Sequence, residues 1–245
     1  MQTYKASDLD MSKSTPVISA AQKFILPITQ LADAEPLVYP AGDKNAGQPI
    51  TDWEGKPIGD TGLVFFNGKD NAYQAVKGNG SGVVIINEVS EAQAQKLKEK
   101  VSEYASCPEN LTCKQIKEIL KYAQSIGLVD MYNSDRSFVQ NKMTPVGNAG
   151  ANCYGLHKRD DRDICLAVKL EGAGQFIGPS ATPQKFEKGA VIVKQGDDFR
   201  LVQDDIFERT YLQANGSPAQ SANLPTAAKP VSRKHEMSKH ASLKK

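Results

Sequence analysis

The stretch 62-GLVFFNGKDNAYQAVKGNGSGVVIINEV-89 decides how this 245-residue chain is read. Within it, 62-GLVFFN-67, 72-AYQAVK-77 and 82-GVVIINEV-89 are rich in Val, Ile, Phe and Tyr, and turn residues separate them. The connections, Asn67-Gly68 and 77-KGNGSG-82, are short enough for antiparallel hairpins. A three-stranded meander is the natural reading.

Two helices follow. Ser90 and Gln93 have capping-box spacing, and Ala92, Leu97, Val101 and Tyr104 then form a narrow apolar stripe that ends before Cys107-Pro108. Thr112 and Gln115 repeat the box ahead of Ile116, Ile119, Leu120, Ala123 and Ile126, with Gly127 as the stop. An apolar face of this kind has to cover a sheet, so the expected fold class is α+β, an antiparallel meander covered by two helices.

Outward from this centre, residues 20–39 suit a short strand or extended segment. Residues 40–59 are a Gly/Pro-rich loop carrying Trp53, the only tryptophan. Residues 146–152 form a Gly/Asn-rich loop, and a buried strand is expected at 164–170. A hairpin follows, 188-KGAVIVK-194 returning through Gln195-Gly-Asp-Asp198 as 199-FRLV-202, and 204-DDIFERTY-211 packs back. Residues 1–18 and 214–245 lack periodic apolar faces and are read as disordered. The expected organisation is therefore a disordered 1–18, an α+β body at 19–145, the Gly/Asn loop with a C-terminal β-hairpin module at 146–213, and a disordered basic tail at 214–245.

Gly189, Gly196, Ile206, Phe207, Thr210 and Tyr211 give segment 188–211 a resemblance to the small module named for a Pro-Gly-Asp-Tyr-Gly motif in bacterial and phage proteins. The resemblance covers about a tenth of the chain, and Lys188 and Ala190 stand where the name-giving Pro and Asp would be. It implies a bacterial or phage-like origin and supplies no catalytic residues.

The chain is 40% apolar with a net charge of +2. Residues 226–245 carry six Lys/Arg against one Glu, which leaves the rest at −3. A basic tail of this kind is a solubilising end or a weak nucleic-acid contact, and no aromatic residue interleaves its charges as a base-stacking site requires. Apolar runs such as 63–66 and 83–86 are four residues long, against the ~20 that a membrane helix needs, so no membrane insertion is expected. The N-terminal residues lack the apolar core of an export signal, and a cytoplasmic location is expected.

Cys107, Cys113, Cys153 and Cys165 lack the C-x2-C spacing of zinc knuckles, so no metal site is expected. No cofactor and no oligomeric state can be named. The chemistry concentrates in residues 147–163, where a flexible loop meets a thiol, the only histidine outside the tail and a cluster of charges. Cys153 and His157 are the candidate catalytic pair, because a thiol needs a neighbouring base to become a thiolate. Against this, Gly155 between them disfavours a helix, and four residues of extended chain span ~13 Å.

Trp53, Arg136, Asn148, Asn152, Tyr154, Arg159 and Arg162 are the candidate ligand-binding residues. Gly147 and Gly150 let backbone N–H groups approach an anion, while Asp160, Asp161 and Asp163 nearly cancel the local positive charge. Asp52, Glu54 and Asp60 around Trp53 are a further set of carboxylates. The leading expectation is an accessory protein that binds a small molecule or a protein partner through the loops near Trp53 and 148–162. The alternative is a transferase or hydrolase acting on a nucleotide or a protein with residues 147–163 in its active site.

Overall fold

The computed structural model describes residues 2–52, 55–105, 109, 111–147, 153–160, 163–179 and 183–227. In chain order the elements are β1 (Gln2–Lys5), β2 (Thr15–Ser19), β3 (Lys23–Pro27), β4 (Glu35–Pro36), β5 (Thr61–Asn67), β6 (Ala72–Lys77), β7 (Gly82–Ile86), α1 (Glu91–Ser102), α2 (Cys113–Ser125) and β8 (Met131–Asp135). They continue with α3 (Arg136–Lys142), β9 (Met143–Pro145), β10 (Gly155–Arg159), β11 (Cys165–Leu170), β12 (Gly174–Ile177), β13 (Pro183–Phe186), β14 (Ala190–Gln195), β15 (Asp198–Gln203), α4 (Asp204–Thr210) and β16 (Tyr211–Gln213). Among the described residues, those in 18–163 and 209–212 make one compact unit and those in 1–17, 164–208 and 213–245 the other.

The fold is mostly β, with its strands in four sheets, and it is not a meander covered by two helices. The expected meander breaks after its second strand. β5 and β6 pair as a hairpin, Phe66 opposite Tyr73 and Leu63 opposite Val76, and β4 joins them to give the order β4-β5-β6. β7 instead enters a five-stranded sheet of order β8-β7-β3-β10-β9.

The reason lies in its side chains. Every residue of β7 is buried, so both faces need cover and both edges need partners, which the end strand of a meander lacks. β3 is likewise buried throughout, and the two pair antiparallel with Phe24 opposite Ile86 and Leu26 opposite Val84.

One face of this sheet, through Phe24, Leu26, Val84, Ile86 and Leu156, shares a core with the inner side of the hairpin (Leu63, Phe65, Val76) and with Leu97, Val101, Ile116, Ile119 and Leu120 of α1 and α2. Each fully buried side chain of this size stabilises the fold by ~1.5–3 kcal/mol. The other face, through Ile25, Val83 and Ile85, packs on Val139 of α3, Met143 and Cys153. Both helices begin at their capping boxes, with Ser90 accepting from the Gln93 N–H and Thr112 from the Gln115 N–H.

The second unit corrects the expectation of a disordered N-terminus. β1 pairs parallel with β12, Gln2 opposite Gly174 through Lys5 opposite Ile177, and Tyr4 is buried. A Cβ at position 174 would lie 2.6 Å from the Gln2 carbonyl oxygen, so only glycine permits this approach. The strands here run β1-β12-β13 in one sheet and β15-β14-β11-β2 in another. Tyr4, Phe176 and Phe186 from the first share a core with Val168, Leu170 and Ile192 from the second.

The segment after β16 is also tied down. The Lys169 N–H donates to the Pro225 carbonyl (2.9 Å), and the Ala227 N–H donates to that of Lys169 (2.7 Å). Residues 228–245, with the basic charges of the tail, lie outside the described residues. Among the described residues no helix is long and apolar enough to cross a membrane.

Candidate functional site

Of the residues that carried chemistry in the sequence, Trp53, Asn148, Asn152 and Arg162 lie outside the described residues. Cys153, Tyr154, His157 and Arg159 fall on or just before β10, and Arg136 opens α3.

Cys153 takes a left-handed conformation (φ +61°) and is buried among Ile25, Val83, Ile85, Val139 and Met143. Burial pushes its thiol pKa up, against the opposing pull of the Arg136 guanidinium, so the protonated thiol prevails at neutral pH. Arg136 donates weakly to the Ile28 carbonyl (3.4 Å), and its buried Nε has no hydrogen-bond partner among the described residues. Tyr154 packs on the larger core, edge-on to Phe24 with ring centroids 5.5 Å apart, and burial pushes its hydroxyl up to about 12.

His157 is 2% exposed, and its Nδ1–H donates to the Gly155 carbonyl at 2.9 Å. Two residues on, Arg159 pairs with Asp163 at 2.9 Å and stacks on Phe138, its Cζ 4.8 Å from the ring centroid. Charges that looked like a solvated loop therefore include a buried ion pair. The thiol and the imidazole line none of the three cavities described below.

Desolvation lowers the His157 pKa. The folded-state pKa thus lies below the unfolded value near 6.5, and the stability this group contributes is complete above pH 6.5. As the pH falls below 6.5 the unfolded chain takes up a proton that folded His157 refuses. Urea unfolding should show a loss of at most ~1.4 kcal/mol per pH unit in that window, absent from the pH profile of His157→Gln.

An apolar cavity lies elsewhere in the same unit. It measures about 490 Å³ and lies between β5, the segment 36–40 and α2. Its apolar wall is Pro36, Val38, Val64, Phe66, Tyr73 and Leu120. Phe66 and Tyr73 meet edge-on, with centroids 5.2 Å apart. The α2 wall presents Lys117, Leu120, Lys121 and Gln124, spaced i, i+3, i+4 and i+7, so one helical face supplies them all. Lys117 pairs with Glu35, Lys121 has no ion-pair partner among the described residues, and the Gln124 amide donates to the Phe66 carbonyl at 3.1 Å.

The apolar stripe of α2 is legible in the sequence, while the role of its flank is not. A signal was there: two lysines one turn apart, bordering the buried stripe.

A second cavity, also about 490 Å³, mixes apolar residues such as Ile58 and Val76 with polar ones, Asp52, Lys56, Lys77, Ser81, Asn133 and Asp135 among them. A third, about 360 Å³, lies beside Gln22, Glu88, Ser90 and Arg209. Among the described residues no three His, Cys, Asp or Glu gather to hold a metal ion. No family model, no curated protein and no solved structure matches the chain.

Proposed function

We propose that this chain is a binding protein that holds its ligand in the cavity between β5 and α2. The observation that carries the reading is the cavity itself: concave, mostly apolar, sized for a small ligand, and supplied with a few polar groups at its rim. With Lys117, Lys121 and Glu35 at the rim, the local charge is +1 and favours an anionic group on an apolar body.

Titration with 8-anilinonaphthalene-1-sulfonate, an aromatic anion, tests it. One saturable site is expected, weakened about tenfold or more (1.4 kcal/mol) in Lys117→Ala/Lys121→Ala. Lys121 is exposed and the Lys117–Glu35 pair is partly exposed, so the fold should be spared. Unchanged affinity in the double variant would rule the cavity out as the site.

The expectation of binding near Trp53 stands as a second proposal, favoured by one observation. Asp52 and Lys56, on either side of that residue, line the second cavity together with Asp135, the neighbour of Arg136.

A further inference from the structure

β5 is an open edge where it meets the cavity. In an antiparallel pair, alternate residues turn both backbone polar groups toward the partner strand and the others turn both away. The Gly78 N–H donates to the Thr61 carbonyl at 3.2 Å, so Thr61, and in register Leu63 and Phe65, face β6. Gly62, Val64 and Phe66 therefore face away from it. Two further contacts agree: Gly62 pairs with Glu35 of β4, and the Phe66 carbonyl accepts from Gln124.

β4 covers only the first of these three. Its ladder stops at Glu35 opposite Gly62, and Asp33, the residue that would come opposite Val64, lies in a turn with its carboxylate accepting the Cys113 N–H at 2.9 Å. The Val64 N–H and C=O and the Phe66 N–H thus point outward along a stretch of strand that has no ladder partner among the described residues. Val64, Phe65 and Phe66 all line the cavity, in keeping with a strand edge turned toward it.

We infer that the occupant of this cavity is an extended peptide bearing a carboxylate, which adds to β5 as a strand and sets its acid against Lys117 and Lys121. The inference rests on the binding reading above and names the ligand class. A strand laid ~4.8 Å from β5 donates to the Val64 carbonyl and accepts from the Val64 and Phe66 N–H groups, and alternate side chains enter the apolar wall. Glu35 already holds Lys117 in the way an incoming carboxylate would, and Lys121 offers a second cation one helical turn along.

The probe is a display library of random heptapeptides with free C-termini, selected on the full chain. Enriched peptides are then synthesised as free acid, C-terminal amide, and forms N-methylated at each backbone amide. The inference expects enrichment, at least tenfold weaker binding for one N-methylated form, and at least tenfold weaker binding to Lys121→Glu. It also expects hydrogen exchange at Val64 and Phe66 to be faster than at Leu63 and Phe65 in the free protein and to slow on binding.

If the carboxylate is terminal the amide form loses affinity, and if it is a side chain the amide form keeps it and an Asp→Asn or Glu→Gln peptide loses it. Loss in neither form overturns the inference. So does binding that tolerates every N-methylation, or a failure to enrich any peptide while the arylsulfonate still binds. If the arylsulfonate also fails to bind, the cavity reading falls with it.

Discussion

Gly62→Ala should destabilise the protein by about 3 kcal/mol in urea unfolding, the upper end of ordinary overpacking costs. A Cβ at this position would stand 2.0 Å from the Val76 carbonyl oxygen and 2.8 Å from the Gly78 nitrogen. Both are backbone atoms of the partner strand and its turn, so no rotamer change relieves the clash and β6 must move off β5. The Gly78–Thr61 hydrogen bond lies at the same point, and so does the contact of the Cys113 thiol with the Gly62 carbonyl, 3.4 Å.

Gly59→Ala is the matched control. Its Cβ would meet Lys77 and Leu37 side chains at 3.4 and 3.7 Å, ordinary contacts, and the expected change is neutral or slightly stabilising. If the two variants unfold at the same urea concentration, the β5–β6 register described above is wrong.

Asp163→Ala should cost about 3 kcal/mol, and the pair should be replaceable. The Arg159 and Asp163 side chains are only 7% and 9% exposed, so removing the carboxylate takes a close counter-charge from a guanidinium in a dry site. The lower part of the 3–5 kcal/mol range applies because Arg159 keeps the face of Phe138. The double variant Arg159→Met/Asp163→Leu should recover most of the loss, since an apolar pair of similar volume avoids desolvating two ions. A double variant no more stable than Asp163→Ala would mean that the pair sets the local backbone rather than merely neutralising itself.

Local features of the fold were legible in the sequence and long-range ones were not. Capping boxes at Ser90 and Thr112 act within one turn, and both helices begin there. The run 83–86 was legible as a strand, but its apolar pattern says only that both faces are buried, and its partner β3 lies some 60 residues away. Residues 1–18 looked disordered because β1 has one buried residue in four, Tyr4, and finds its ladder in β12.

The site shows the same limit. Cys153 and His157 drew notice by chemical type, yet type does not reveal that both would be buried. Lys117 and Lys121 passed as ordinary surface lysines until the open edge of β5 gave them a setting.

The division of the chain has a consequence for its synthesis. One unit is assembled from residues on both sides of the other, so β1 leaves the ribosome roughly 170 residues before its partner β12. Residues 18–163 hold nearly all of their own unit and can collapse first, as units generally do during translation. Through that interval residues 2–17 wait without a ladder, and a strand edge left waiting is an aggregation hazard. The polar, weakly periodic composition that hides β1 from a sequence reading is what lets it stay soluble until β12 arrives.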